Sequence, residues 1–141
     1  MTITIINGPN LNKLNKRDKS QYGNYTLKEI NQLIKKTFPN HKFIFYQSNH
    51  EGKIIDYLQK IKSDALIINP AAFTHTSIGI RDTLEMILIP KVEVHLSNPN
   101  NREDFRKINY IKDVVNKTFK GLKEQSYIEA IKYIINQKEI N

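Results

Sequence analysis

Three stretches of this chain combine residue types that do acid-base chemistry. In Glu93-Val94-His95-Leu96-Ser97-Asn98 the two-residue spacing places Glu93 and His95 on one side of an extended strand. A carboxylate beside an imidazole orients the ring and supports its positive form, an arrangement that general acid-base pairs and structural ion pairs share. A second stretch, Asn69-Pro70-Ala71-Ala72-Phe73-Thr74-His75-Thr76-Ser77, puts His75 among hydroxyls that equally suit helix capping at Thr74, Thr76 and Ser77. The third runs from Asn7 to Gly23 and holds Asn10, Arg17 and Tyr22. Its length exceeds the roughly 2 to 6 residues usual between a strand and a helix, which is the mark of a lid.

These stretches need a frame. Apolar runs predict strands at Ile3–Ile6, Lys42–Gln47, Ala65–Asn69, Lys91–Leu96 and, weakly, Val114–Phe119. Helical periodicity follows Thr26-Leu27-Lys28-Glu29 and Ser48-Asn49-His50-Glu51, both with capping-box spacing. It returns from about Ser77 to Leu88 and in the last segment through Ile128, Ile131, Ile134 and Ile135, while Arg102–Lys107 predicts at most a short helix. Strands alternating with helices, and no hairpin turn between strands, predict a five-stranded parallel sheet covered on both faces. The pattern resembles the flavodoxin-like, doubly wound α/β sandwich. Ligands of such sheets bind beyond the carboxyl ends of the strands. The residues there are Asn7–Asn10, Gln47–Asn49, Asn69-Pro70 and His95–Asn98, so polar groups gather on one edge.

Composition narrows the chemistry. With 141 residues the chain suits a single domain over 1–141, large enough to fold without staples. It has no cysteine, which removes disulfides, thiolate metal sites and thiol nucleophiles. The net charge of +8 comes from 18 lysines and only 4 arginines, with the lysines spread through every segment. That scatter predicts solvated surface rather than a nucleic-acid stripe. Arg17, Arg81, Arg102 and Arg106 mark places where a planar, always-charged fork is wanted. No phosphate-binding loop or Gly-x-Gly-x-x-Gly fingerprint occurs, which weakens a nucleotide or flavin reading. No apolar run reaches membrane-span length, and Met1–Ile6 lacks the zones of a signal peptide, so the expectation is a cytoplasmic protein without membrane partners.

Together, Asn7-Gly8-Pro9-Asn10-Leu11-Asn12, Gln47-Ser48-Asn49-His50-Glu51-Gly52, Asn69–Ser77 with Arg81-Asp82, and Glu93–Asn98 resemble the type II 3-dehydroquinate dehydratases, in order and at matching intervals. The likeness runs from the first strand to Arg106, about three-quarters of the chain. It implies dehydration of 3-dehydroquinate to 3-dehydroshikimate, no cofactor or metal, and self-association of twelve subunits as four trimers. By the same resemblance Tyr22 is the base, assisted by Arg17; Asn10 holds a water against the enolate oxygen; and His95, oriented by Glu93, protonates the departing hydroxyl. Asn69, His75 and Arg106 would hold ring hydroxyls, and Leu96 and Ser97 the substrate carboxylate. Arg102 lies near the site, and Asp82 would reach a neighbouring subunit's site.

Electrostatics supports this casting. A free tyrosine is only ~0.1% ionised at pH 7, and a cation ~4 Å from the phenolate supplies roughly 4 kcal/mol before desolvation. The sequence departs from the family pattern at Asn15 and Lys19 in the long loop, where Gly and Pro are usual. It departs again at Lys117, Lys123 and Ser126, where glycines are expected. A binding module of flavodoxin-like type, taking nucleotides or acidic partners, is the alternative that the fold and charge leave open.

Overall fold

The computed structural model describes residues 1–140. Five parallel strands, β1 (Thr2–Asn7), β2 (Lys42–Gln47), β3 (Ala65–Asn69), β4 (Lys91–His95) and β5 (Lys117–Lys120), lie in the order β2-β1-β3-β4-β5. The chain turns one way from β1 to reach β2 and the other way to reach β3, so the switch in winding falls between β1 and β3. There Asn7 pairs with Asn69, and the Gly8 amide donates to the Asn69 carbonyl at 2.8 Å. A Cβ on Gly8 would sit 2.7 Å from the Pro70 carbonyl carbon, so only glycine lets the two strand ends approach this closely.

Side-chain alternation divides the core. Ile3, Ile5, Ala65, Ile67, Val92 and Val94 face one way, against Ile30 and Ile34 of α2 (Leu27–Thr37) and Tyr127, Ile131 and Ile134 of α5 (Gln125–Ile140). Ile6, Leu66 and Ile68 face the other, against Ile54 and Leu58 of α3 (Glu51–Gln59) and Ile80 and Leu84 of α4 (Ile78–Glu85). β3 is buried along its whole length, as a central parallel strand must be.

The capping box opening α2 forms in both directions, Glu29 N to Thr26 Oγ1 at 3.1 Å and Thr26 N to Glu29 Oε1 at 2.9 Å. The box expected at Ser48 does not form. Ser48 Oγ accepts from His50 N instead, and α3 starts without a side-chain cap. α4 stops at Glu85 rather than Leu88, because the Lys91 ammonium donates to the Leu84 and Ile87 carbonyls at 2.7 and 2.6 Å and closes the helix end. The fifth strand starts three residues later than expected and ends one later. Val114 and Val115 pack against the core cluster on the α3 and α4 side of the sheet, and pairing with β4 begins only after Asn116, whose side chain accepts from the Lys91 amide at 2.8 Å.

The long connection after β1 is not an open loop. It folds into a 3-10 turn, Leu11–Lys16, and a single helical turn α1 (Lys19–Tyr22), with Leu11 and Leu14 buried in the core. Lys19 occupies the first helical position, which tolerates Pro equally well.

Lys123 adopts a φ of 56°, in the left-handed region where a side chain costs about 1–2 kcal/mol. Ser126, by contrast, fits its position: it is fully buried, and its hydroxyl accepts from the Leu122 amide at 3.1 Å. Replacing Lys123 with Gly is expected to raise stability by about 1 kcal/mol, read as a higher urea midpoint with unchanged slope.

Candidate active site

A cavity of about 120 Å³ opens beyond the carboxyl ends of β1, β3 and β4. Asn10, Arg17, Tyr22, Asn69, His75, His95, Leu96, Ser97, Arg102 and Arg106 all line it, so most residues singled out from the sequence converge here, and among the described residues no carboxylate lines its wall. The strand ends supply the rigid part, Asn69 from β3 and His95 from β4. The segment after β1 supplies Asn10, Arg17 and Tyr22, and the segment after β4 supplies Arg102, at the end of the 3-10 turn Pro99–Asn101, and Arg106, within the turn Asp104–Lys107.

Tyr22 is buried, and its hydroxyl oxygen is the focus of two guanidiniums. Arg17 Nη2 donates to it, as does Arg102 Nη1 at 2.5 Å. The Arg17 guanidinium also lies over the ring, 3.9 Å from its centre. Burial lowers the pKa of Arg17, and the Arg102 and Arg106 charges act the same way, while Tyr22 opposes them. Negative charge developing on the phenol oxygen therefore meets donors already in place, the condition for electrostatic activation of a base.

His95 Nε2 is hydrogen-bonded to Glu93 Oε2. Glu93 is completely buried, which by itself would raise its pKa. The hydrogen bond and charge of His95, with hydrogen bonds from Thr118 and Asn109, outweigh that and hold it below the usual glutamate value. The carboxylate can only accept, so Nε2 carries a hydrogen and Nδ1 is the nitrogen left for proton exchange.

His75 Nδ1 donates to the Ile108 carbonyl at 2.6 Å, which leaves Nε2 as the ring's second polar atom. Its pKa is lowered, chiefly by burial and further by the charges of His95 and Arg106, against the Ile108 hydrogen bond. A neutral ring of this tautomer offers an acceptor to a hydroxyl. Ser97 Oγ accepts from Arg102 Nη1 at 3.3 Å. Asn10 has a φ of 70°, a conformation asparagine tolerates, and its amide donates to Asn49 Oδ1 at 3.0 Å.

Of the hydroxyls beside His75, Ser77 caps α4 by accepting from Ile80 N at 2.9 Å, whereas Thr76 is exposed and Thr74 Oγ1 is buried without a partner. Two flagged residues lie away from the cavity. Arg81 pairs with Asp113 at 2.5 Å and with Glu85 at 3.3 Å, which makes it structural, and Asp82 is exposed on α4.

Tyr127 escaped sequence reasoning. Fully buried in α5, its hydroxyl donates to Asn7 Oδ1 at 2.5 Å and accepts from Asn69 Nδ2 at 3.0 Å. Burial pushes its pKa up, keeping it a neutral donor. Asn69 Oδ1 in turn accepts from the Ala71 amide at 3.1 Å, so the amide orientation of this cavity residue is fixed from behind.

A parallel sheet wound in this order, with a carboxylate-backed histidine on β4 and an arginine-flanked tyrosine lining the same cavity, defines an α/β enzyme site. The profile of the family described as Dehydroquinase class II matches residues 1–135, and the chain belongs to that family. A 3-dehydroquinate dehydratase from Clostridium botulinum (strain 657 / Type Ba4) is 49% identical, covering 95% of this chain and 94% of that protein. One from Thermotoga neapolitana is 44% identical over the same shares. The crystal structure of a type II dehydroquinase from Butyrivibrio crossotus superposes with a TM-score of 0.91 at 43% identity, covering 95% of this chain and 97% of the other.

Proposed function

We propose that this protein eliminates water from 3-dehydroquinate to give 3-dehydroshikimate, the dehydration step of the shikimate pathway leading to aromatic amino acids. The observation that carries the reading is the placement of Tyr22, with its two guanidiniums, and of His95, backed by the buried Glu93, on one cavity.

The Tyr22 phenolate takes the proton alpha to the ketone, and the electron pair of that C–H bond becomes an enolate. Asn10 holds a water against the enolate oxygen. Collapse of the enolate forms the ring double bond and breaks the C–O bond to the hydroxyl, which leaves as water with a proton from His95. Glu93 balances the imidazolium before that transfer. Departure of the proton and hydroxyl from opposite faces makes the elimination anti. Asn69, His75 and Arg106 hold ring hydroxyls. The backbone of Leu96 and Ser97 and the Ser97 hydroxyl receive the substrate carboxylate, which the arginines of the cavity attract, although Arg106 also pairs with Glu103 at 3.0 Å.

These groups need no cofactor or metal, and the chain acts as one domain. The reading extends to a cytoplasmic homododecamer of four trimers, in which Asp82 enters a neighbour's site. Supporting this, Asp82 is exposed on α4 between Ile78 and Met86, four residues to either side and 55% and 65% exposed, an apolar stripe suited to burial against another copy. No helix among the described residues is long and apolar enough to cross a membrane. A flavodoxin-like module for nucleotides or acidic partners would have no use for a buried Glu93–His95 pair facing an arginine-flanked tyrosine.

Purified protein given 3-dehydroquinate, without metal or nucleotide, is expected to produce the ultraviolet absorbance of a conjugated enone. No absorbance change at micromolar enzyme would refute the reading, and mass measurement in solution tests the dodecamer.

A further inference from the structure

An ionised carboxylate has about four acceptor sites on its two oxygens. In Glu93 three are filled, and only one by His95. Asn109 Nδ2 donates to Oε2 at 2.7 Å and Thr118 Oγ1 to Oε1 at 2.8 Å. With donors on both oxygens the plane of the carboxylate is set, and with it the direction in which Oε2 meets His95 Nε2. Thr118 comes from β5, paired in register with Glu93. Asn109 comes from the loop before β5 and is itself held, its Oδ1 accepting from the Ile111 and Lys112 amides at 2.9 and 3.0 Å.

The residues around Asn109 pin that loop to the site. The Ile108 carbonyl accepts from His75, the Tyr110 amide donates to the Thr74 carbonyl at 3.0 Å, and the Tyr110 carbonyl accepts from Arg81 Nη1 at 2.8 Å. One short segment thus touches the support of both site imidazoles. Neither Asn109 nor Thr118 lines the cavity.

We propose that Asn109 and Thr118 are positioning residues for the protonation step: by fixing the Glu93 carboxylate they hold the His95 ring with Nδ1 toward the departing hydroxyl. This rests on the roles given to Glu93 and His95 above.

The test separates proton removal from hydroxyl loss. The full chain is incubated with 3-dehydroquinate in deuterium oxide, and deuterium alpha to the ketone in residual substrate is compared with enone formed. Asn109→Ser keeps an oxygen to cap the loop but cannot reach Glu93. It is expected to lower kcat about tenfold, the factor one charge-assisted hydrogen bond commands, with KM within about twofold. The exchange-to-dehydration ratio rises by the same factor, because an enolate whose hydroxyl is not protonated by His95 takes a deuteron back at the alpha carbon and returns to labelled substrate.

Thr118→Val, nearly isosteric and on a strand, is expected to move the ratio in the same direction by about threefold, and it decides the matter if Asn109→Ser does not fold. A structural role alone would slow both steps together, so unchanged ratios in folded variants overturn the inference, as does a fall in kcat/KM that lies wholly in KM. A wild-type chain that leaves 3-dehydroquinate untouched overturns the functional reading and this inference with it, whereas a normal wild type with unchanged ratios overturns the inference alone.

Discussion

Tyr22→Phe is expected to reduce dehydration of 3-dehydroquinate by about 10²- to 10⁴-fold, the range for loss of a positioned base, while the protein stays folded. The substitution keeps the ring that packs beside Leu11 and Leu14 and removes only the oxygen that receives Arg17 and Arg102. Both guanidiniums reach solvent in part, so they rehydrate rather than stay orphaned. Substrate affinity should hold, because the groups assigned to the carboxylate and ring hydroxyls lie on other elements. The measurement is the enone assay beside circular dichroism and a binding titration with product. Activity within tenfold of wild type would mean that another group takes the proton.

His95→Ala is expected to cost the same order, about 10²- to 10⁴-fold, at the other half of the reaction. Deuterium exchange alpha to the ketone should survive, since Tyr22 and its arginines are untouched. The variant is also expected to be less stable by about 1–3 kcal/mol, because Glu93 loses a hydrogen-bond donor in a fully buried position. That loss stays moderate because Asn109 and Thr118 continue to donate to both carboxylate oxygens. Loss of exchange together with dehydration would remove His95 from the acid role.

Much of this was legible in the sequence because it is local. β2 and β3 fall on the expected residues, and the α2 capping box forms as its spacing predicts. The Glu93–His95 pair follows from strand alternation alone, and the glycine expected at 123 corresponds to a left-handed backbone that Lys123 now occupies. What sequence reasoning missed is what tertiary structure brings together. Asn109 and Thr118 lie 16 and 25 residues from Glu93, and polar residues in a loop and a weak strand carry no periodic signal. Tyr127 lies just before the apolar series Ile128, Ile131, Ile134 and Ile135 that marks the last helix, and nothing local distinguishes it. The fifth strand starts later than its residues suggest because Val114 and Val115 have strand propensity, yet they pack against the core before the pairing with β4 begins. At Ser48 a matching motif was outcompeted by a shorter hydrogen-bonded turn.

The Tyr127 hydroxyl joins β1, β3 and α5 across separations of 120 residues to Asn7 and 58 to Asn69. Synthesis runs from the amino end, so a growing chain can complete its first four strands while the Asn69 amide, held by Ala71, still lacks the acceptor for its Nδ2. The helix that touches no substrate is therefore the last part needed to finish the site. A chain released early, before residue 127, would carry every residue assigned to proton transfer and still lack the finished pocket.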